Sequence, residues 1–308
     1  MYAQQLLCRW PKGPSKVFKS VNVATLLGIA DRYLKMAGAT SPRLDAEVLL
    51  AKCLDLEIIQ LYTYPDRMLD GDEEACFSKY LERRIKGEPV AYITGEKEFW
   101  SISLKVTRDV LIPRPDTETV VEEVIHIARY DSLKKGNILE IGTGSGAISL
   151  ALATELPEAG IYAADISERA LKVAKENAFS NNLGHKITFF CSNLFSPLES
   201  KFDIVVSNPP YIAEEEFLSL PREVRQNEPR AALIAGPQGT EFHEMLIKGA
   251  LSVLHPGGWL VMEIGDNQKK AVGNLFEESG GYESIRFRLD YSGRQRVAAG
   301  RKRRPRGG

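Results

Sequence analysis

The chain lacks any apolar run approaching the roughly 18 residues that a bilayer-spanning helix requires, so no membrane segment is expected. Cysteine is scarce. Cys8, Cys53, Cys76 and Cys191 are the four among 308 residues, and no two have the spacing of a zinc knuckle or a redox pair. A disulfide scaffold and structural zinc are therefore not expected, and Cys53 and Cys191, set in apolar runs, read as core thiols. A reducing, cytoplasmic setting follows. The four histidines show no ligand spacing, so no metal is expected. His243 falls on an expected helix and reads as a packed or solvated side chain rather than a catalytic one. Excess charge is lacking as well: 40 basic and 41 acidic residues leave a formal net charge of −1, unlike a general nucleic-acid binder. Acids are missing at both ends. The first 20 residues carry Arg9, Lys12, Lys16 and Lys19, but Pro11, Gly13 and Pro14 break any targeting helix, and 1–20 reads as a disordered extension. Arg301-Lys302-Arg303-Arg304-Pro305-Arg306 makes 301–308 a basic tail, read as solvated, with a contact to RNA as the sharper alternative.

What is present divides into blocks. Over 21–87, Val23, Leu26, Leu27, Ala30, Tyr33 and Leu34 recur at spacings of three and four, one face of a helix ended by Gly38. Ser41 and Pro42 open a second, with Leu44, Val48, Leu49 and Cys53 on its apolar face. A third fits 72–86, before Gly87. These make a small helical bundle without evident chemistry. Over 88–115, the β-prone runs 90–93 and 102–106 predict an antiparallel hairpin as linker. From 116 to 300, a helix at 117–130 precedes strands at 138–141, 161–164, 187–191, 204–207, 259–264, 285–289 and 296–299. Helices at 147–155, 168–180, 241–254 and 267–278 alternate with them. Short apolar strands between amphipathic helices predict an α/β fold: a seven-stranded, mostly parallel, Rossmann-like sheet whose ligands sit at the carboxyl ends of its strands.

The first of these strands runs into Gly142-Thr143-Gly144-Ser145-Gly146. Glycines let backbone approach a ligand closely. Asp165, at the end of the second strand, is placed to accept hydrogen bonds from both hydroxyls of a ribose. Loop and acid together predict a nucleoside-containing cofactor and leave NAD and S-adenosyl-L-methionine both open. Glu140 favours a cofactor with an ammonium group, since it would repel a pyrophosphate.

Chemistry enters with Asn208-Pro209-Pro210-Tyr211, after the fourth strand. Two prolines cannot continue a parallel strand, so they form a rigid exit with free carbonyl acceptors. The Asn208 side-chain oxygen and the Pro209 carbonyl can each take one N–H of an NH₂ group, holding a weak nitrogen nucleophile for in-line attack, while Tyr211 packs on its planar group. Asn208, Pro209 and Tyr211 are thus the candidate catalytic residues, and the same segment with Pro210 the candidate substrate site. Taken alone, it leaves base and glutamine acceptors equally open.

This segment resembles that of amino-group methyltransferases acting on adenine, guanine or glutamine. Gly87-Glu88-Pro89-Val90-Ala91-Tyr92-Ile93-Thr94-Gly95 with Glu98-Phe99-Trp100, Leu111-Ile112-Pro113-Arg114-Pro115-Asp116-Thr117-Glu118, the run 224–233, Glu263-Ile264-Gly265 with Gln268, and Asp290, Gly293 and Arg296-Val297 together resemble the HemK/PrmC family. The resemblance spans about 21–300. It implies methyl transfer from S-adenosyl-L-methionine, with S-adenosyl-L-homocysteine as product, to the glutamine of the Gly-Gly-Gln motif in class I peptide chain release factors. It implies that Gly142, Thr143, Gly144, Ser145 and Gly146 cradle the methionine part, that Asp165 holds the ribose, and that Asn208 to Tyr211 bind the glutamine, with Phe99 as a further wall. The helical domain would grip the release factor, and a monomer is expected. One departure from the family is Asn193-Leu194, where many members have Asp and an aromatic residue. Asn193 would meet the adenine edge through its amide and Leu194 its face. Arg114 reads either as ordering the linker near the cofactor or as a structural ion pair. A nucleic-acid methyltransferase, an NAD-dependent oxidoreductase and a non-catalytic binding module are the alternatives.

Overall fold

Local caps set the first helices. Asn22 accepts a hydrogen bond from the Thr25 amide at 3.0 Å and starts α1, Val23–Met36. Pro42 in the first turn starts α2, Pro42–Leu54. A reciprocal Glu57/Gln60 box opens α3, Ile58–Thr63, a helix too short to register as periodicity. In α4, Gly71–Ile85, the Asp70 carboxylate takes the Asp72 and Glu73 amides while the Glu73 side chain takes that of Asp70. The helix α5, Val90–Thr94, follows. The computed structural model describes residues 21–196 and 198–305. The 1–20 extension, with Cys8, and residues 306–308 lie outside them.

Residues 21–95 form one unit together with a short helix, Arg222–Asn227, from far along the chain. Its core is Leu26, Leu27, Ala30 and Leu34 against Leu49, Leu50, Phe77 and Leu81. Arg84, 6% exposed, binds Asp45 at 2.7 Å and Glu223 at 2.6 Å. Asn227 Nδ2 donates to the Gly87 carbonyl at 3.0 Å.

Residues 96–221 and 228–305 form the second unit. It opens with a hairpin, β1 (Glu96–Phe99) and β2 (Ile102–Lys105), then a 3-10 turn, Pro115–Thr117, and α6, Glu118–Tyr130. The alternating part follows: β3 (Asn137–Ile141), α7 (Ala147–Glu155), β4 (Gly160–Asp165), α8 (Glu168–Ser180), β5 (Ile187–Cys191) and β6 (Phe202–Ser207). After β7 (Ile212–Ala213) comes α9, the Arg222–Asn227 helix of the first unit, then β8 (Ile234–Gly236). The chain closes with α10 (Glu241–Val253), β9 (Leu254–Glu263), α11 (Lys269–Ser279), β10 (Tyr282–Leu289) and β11 (Gln295–Lys302). Seven strands form one sheet in the order β10-β11-β9-β6-β3-β4-β5, in which β11 pairs antiparallel with both neighbours and the remaining pairings are parallel. The fold is the expected α/β, Rossmann-like one. Apolar clusters cover both faces of the sheet, which is why its central strands read as continuous apolar runs. The strand order reverses beside β3, so ligands are expected at its carboxyl end.

Five readings are corrected. Val90–Thr94 is a helix, not a strand, because Pro89 precedes it and Gly95, at φ 80°, ends it in a left-handed turn. The hairpin forms one step later, around Trp100 and Ser101 at φ 54° and 56°, the backbone of a tight two-residue turn. Cys191 is exposed, since it ends the edge strand β5. Leu44 is 53% exposed, because α2 buries Ala46, Leu49, Leu50 and Leu54 instead. Finally, the basic run is structural where described. Arg301 and Lys302 belong to β11, and Lys302 Nζ donates to the Leu251 and Leu254 carbonyls at 2.6 and 2.7 Å. Arg301 donates to the Gly257 carbonyl and Arg303 to that of Gly280.

Candidate active site

The glycine loop sits at the carboxyl end of β3. The Gly142 and Thr143 amides both bond to the Ala164 carbonyl, at 2.9 and 3.0 Å, which folds the loop over β4. Gly142 and Gly144 have φ 75° and 55°, and a Cβ on either would meet no atom within 4 Å. That open side leaves room for a ligand to approach the backbone. Gly146 differs: a Cβ there would lie 2.8 Å from Leu150 Cδ1 and 3.2 Å from Ala174 Cβ. Its part is to let α7 and α8 approach.

Glu140 lies beneath this loop, 2% exposed. Its Oε2 accepts from Thr143 Oγ1 at 2.7 Å, from the Ser149 amide at 3.1 Å and from Ser149 Oγ. Burial pushes its carboxyl up to about 7 against these bonds. Ser145 is buried too, and its carbonyl accepts from Asn177 Nδ2 at 2.8 Å.

Asp165 accepts the Gly144 amide on one oxygen and the Ser167 amide on the other, both at 2.9 Å. These bonds orient the carboxylate at the strand end and leave it lone pairs for two hydroxyls. Beside it Ile166 is 67% exposed, an apolar side chain in water at the mouth of the loop. Nothing in the sequence singled it out except its place after the strand-end acid. Asn193 is exposed beyond β5, while Leu194, at φ 53°, packs partly against the core.

Asn208-Pro209-Pro210-Tyr211 leaves β6 next to β3. Ile141 pairs with Ser207, and Ser207 Oγ donates to the Ile141 carbonyl at 2.8 Å, so Gly142 and Asn208 follow on adjacent strand ends. Asn208 Nδ2 donates to Thr117 Oγ1 at 3.1 Å, and Thr117 Oγ1 donates to Glu263 Oε2 at 2.6 Å. The Tyr211 phenol bonds to the same carboxylate, and burial raises it above its ordinary range. Tyr211 therefore offers a ring face rather than a free hydroxyl. Gln268 Nε2 holds the Tyr211 and Gly239 carbonyls at 2.8 and 2.9 Å, and its Oε1 takes the Gly265 amide. Glu263 is 1% exposed, and burial pushes it to about 7. Arg296 lies near it, bridging Asp290 and Asp116 at 3.2 Å each.

Some expected residues lie apart. Phe99 is 2% exposed within the main apolar cluster, beneath any ligand surface. Arg114 pairs with buried Glu228, which also takes the Ile112 amide at 3.2 Å, so it is a structural ion pair. His243 is fully buried, bonded to the Glu263 carbonyl at 2.8 Å, and burial lowers its pKa. A groove of about 560 Å³ on this unit is lined by Trp100, His126, Tyr130 and Arg288 among others and contains none of the glycine-loop or Asn208–Tyr211 residues. Asn177 and Ile166 went unassigned in the sequence, for they belong to no local pattern, and Thr117 was named there only within the run 111–118, without a role of its own.

The cradle, the oriented Asp165 carboxylate and exposed Ile166 fit a ribonucleoside carrying an aliphatic arm.

Residues 25–95 match the PrmC N-terminal domain, and residues 124–223 the methyltransferase small domain. A release factor glutamine methyltransferase of Rhodopirellula baltica is 39% identical over 284 residues, which is 91% of this chain and 96% of that protein. One of Moorella thermoacetica is 43% identical over 271 residues, 88% of this chain and 95% of that protein. Among solved structures, the hMettl16 catalytic domain in complex with the MAT2A 3'UTR hairpin 6 superposes with a TM-score of 0.53 at 18% identity, covering 74% of this chain and 82% of that one, a likeness of fold. With close to full-length identity at this level, the chain belongs to the release factor glutamine methyltransferase family.

Proposed function

We propose that this protein methylates the side-chain amide nitrogen (N5) of the glutamine in the Gly-Gly-Gln motif of class I peptide chain release factors, acting in the cytoplasm as a monomer. The observation that carries this reading is the pairing of Ile141 with Ser207, which sets the cofactor loop and the Asn208 amide side by side. When bound, S-adenosyl-L-methionine supplies an electrophilic sulfonium methyl and leaves as S-adenosyl-L-homocysteine. The chain's own residues bind and orient. Gly142 and Gly144 line the methionine arm, with Thr143, Ser145 and Glu140 bracing the loop from below. Gly146 keeps the following helix close. Asp165 takes the ribose hydroxyls, and Ile166 packs on the adenine, with Asn193 at its edge and Leu194 behind.

Asn208 Oδ1 and the Pro209 carbonyl each accept one N–H of the glutamine amide. Two acceptors hold the nitrogen and favour its pyramidal form as the new bond develops. No base is needed before attack, because the proton leaves afterwards. The Tyr211 ring and Pro210 wall the planar amide. Incubation with labelled S-adenosyl-L-methionine and either release factor or nucleic acid tests the reading. Label on the release-factor glutamine is expected, and label on nucleic acid alone overturns it.

A further inference from the structure

We infer that Thr117 and Glu263 are positioning residues that hold the Asn208 side-chain amide in one of its two orientations, oxygen toward the acceptor nitrogen. This deepens the proposed function and rests on it. An asparagine amide has nearly the same shape when flipped by half a turn, yet its hydrogen bonding inverts. With its NH₂ turned to the substrate, Asn208 would face an N–H donor with a donor and bind nothing. Something must select the productive flip.

The selection follows from counting protons. A threonine hydroxyl has one proton and accepts with its lone pairs. Thr117 stands between Asn208, at 3.1 Å, and the Glu263 carboxylate, at 2.6 Å. An ionised carboxylate only accepts, so the hydroxyl proton goes to Glu263. Toward Asn208 the hydroxyl is then an acceptor, and the atom it meets must be Nδ2. The amide oxygen is left pointing away from Thr117. The same carboxylate takes the Tyr211 phenol, so one buried charge orients both the amide and the ring that follow β6.

The arrangement depends on the charge of Glu263. Arg296 from β11 favours ionisation, while Asp116 from the 3-10 turn and burial oppose it. Thr117 and Tyr211 donate to it. His243, on α10, bonds to the Glu263 backbone and is held neutral by burial. Once protonated, Glu263 becomes a donor to Thr117. The threonine proton then turns to Asn208, and the amide is free to flip.

The test compares wild type with Thr117→Val, Thr117→Ser and Glu263→Gln, measuring release-factor methylation and, separately, S-adenosyl-L-methionine binding by calorimetry. Thr117→Val keeps the shape and removes the hydroxyl. Its kcat is expected to fall about tenfold or more, the loss of one oriented hydrogen bond, while cofactor Kd moves no more than about twofold. Thr117→Ser restores the hydroxyl and is expected within about threefold of wild type. Wild-type kcat should fall on acidification with a midpoint near 7, and Glu263→Gln, which cannot titrate, should lose that limb. Equal kcat in Thr117→Val, an equal loss in Thr117→Ser, or an unchanged acid limb in Glu263→Gln overturns the inference. A wild-type enzyme that methylates no release factor overturns the proposed function itself, and the wild-type assay alone tells the two failures apart.

Discussion

Asn177 pairs with the backbone of Lys105 as a neighbouring strand would. Its Oδ1 accepts the Lys105 amide at 2.7 Å and its Nδ2 donates to the Lys105 carbonyl at 2.9 Å. The second Nδ2 proton reaches the Ser145 carbonyl at 2.8 Å. One side chain of α8, 1% exposed, thus ties the hairpin to the glycine loop.

Replacing Asn177 by Ala removes these bonds and strands buried partners. A stability loss of about 3 kcal/mol is expected, since each unsatisfied buried group costs roughly 1–3 kcal/mol. Urea unfolding measures it. Cofactor affinity should fall with it, because Ser145 loses its support. An unchanged denaturation midpoint would show the tie to be incidental.

The glycines of the loop should fail in different ways. Gly146→Ala places a methyl 2.8 Å from Leu150 Cδ1 at φ 85°, so it should destabilise the fold by about 1–3 kcal/mol. In Gly144→Ala the methyl meets only open space, so stability should drop by about 1–2 kcal/mol from backbone strain alone. Its larger effect should be on cofactor Kd, because the methyl enters the cradle. Calorimetry alongside thermal melting separates the two.

Asn208→Ala should lose roughly 2.7–4 kcal/mol of transition-state stabilisation, by analogy with a deleted oxyanion donor. Cofactor binding should survive, since nothing in the glycine loop bonds to that side chain. Turnover equal to wild type would refute the acceptor role of the amide.

Burial raises Glu140 from 4.5 to about 7. Between these values the unfolded chain has released the proton while the folded one retains it, so the group's contribution to stability falls as pH rises from about 4.5 to 7. The full difference is on the order of 3 kcal/mol. Unfolding of wild type and Glu140→Gln at pH 5 and pH 8 checks the sign. The variant should gain on wild type at the higher pH, and a gain at the lower pH instead would mean that the carboxylate is ionised and stabilising.

The linear sequence determined the architecture because its signals are local. Each central strand is an apolar run of a few residues, and most long helices carry a spacing of three and four, so the seven strands and their helices could be read directly. The glycine loop, Asp165 and Asn208 to Tyr211 were legible for the same reason: each is a contiguous pattern at a strand end. Local composition also misled. Val90 to Ile93 are β-prone, yet flanking Pro89 and Gly95 favour one helical turn that buries Tyr92 and Ile93. The basic run looked like a tail until β10 and β9 paired with its first two residues. What only the tertiary structure decided is the set of partners. Thr117 and Glu263 are 146 positions apart, and Asn177 and Lys105 are 72 apart. A hydrogen bond over such a separation leaves no periodic trace, because its geometry is set by the packing of whole elements. Asn208 stands in a run of four residues that is visible in the sequence, while the chain of hydrogen bonds that joins its side chain through Thr117 to Glu263 exists only in the fold.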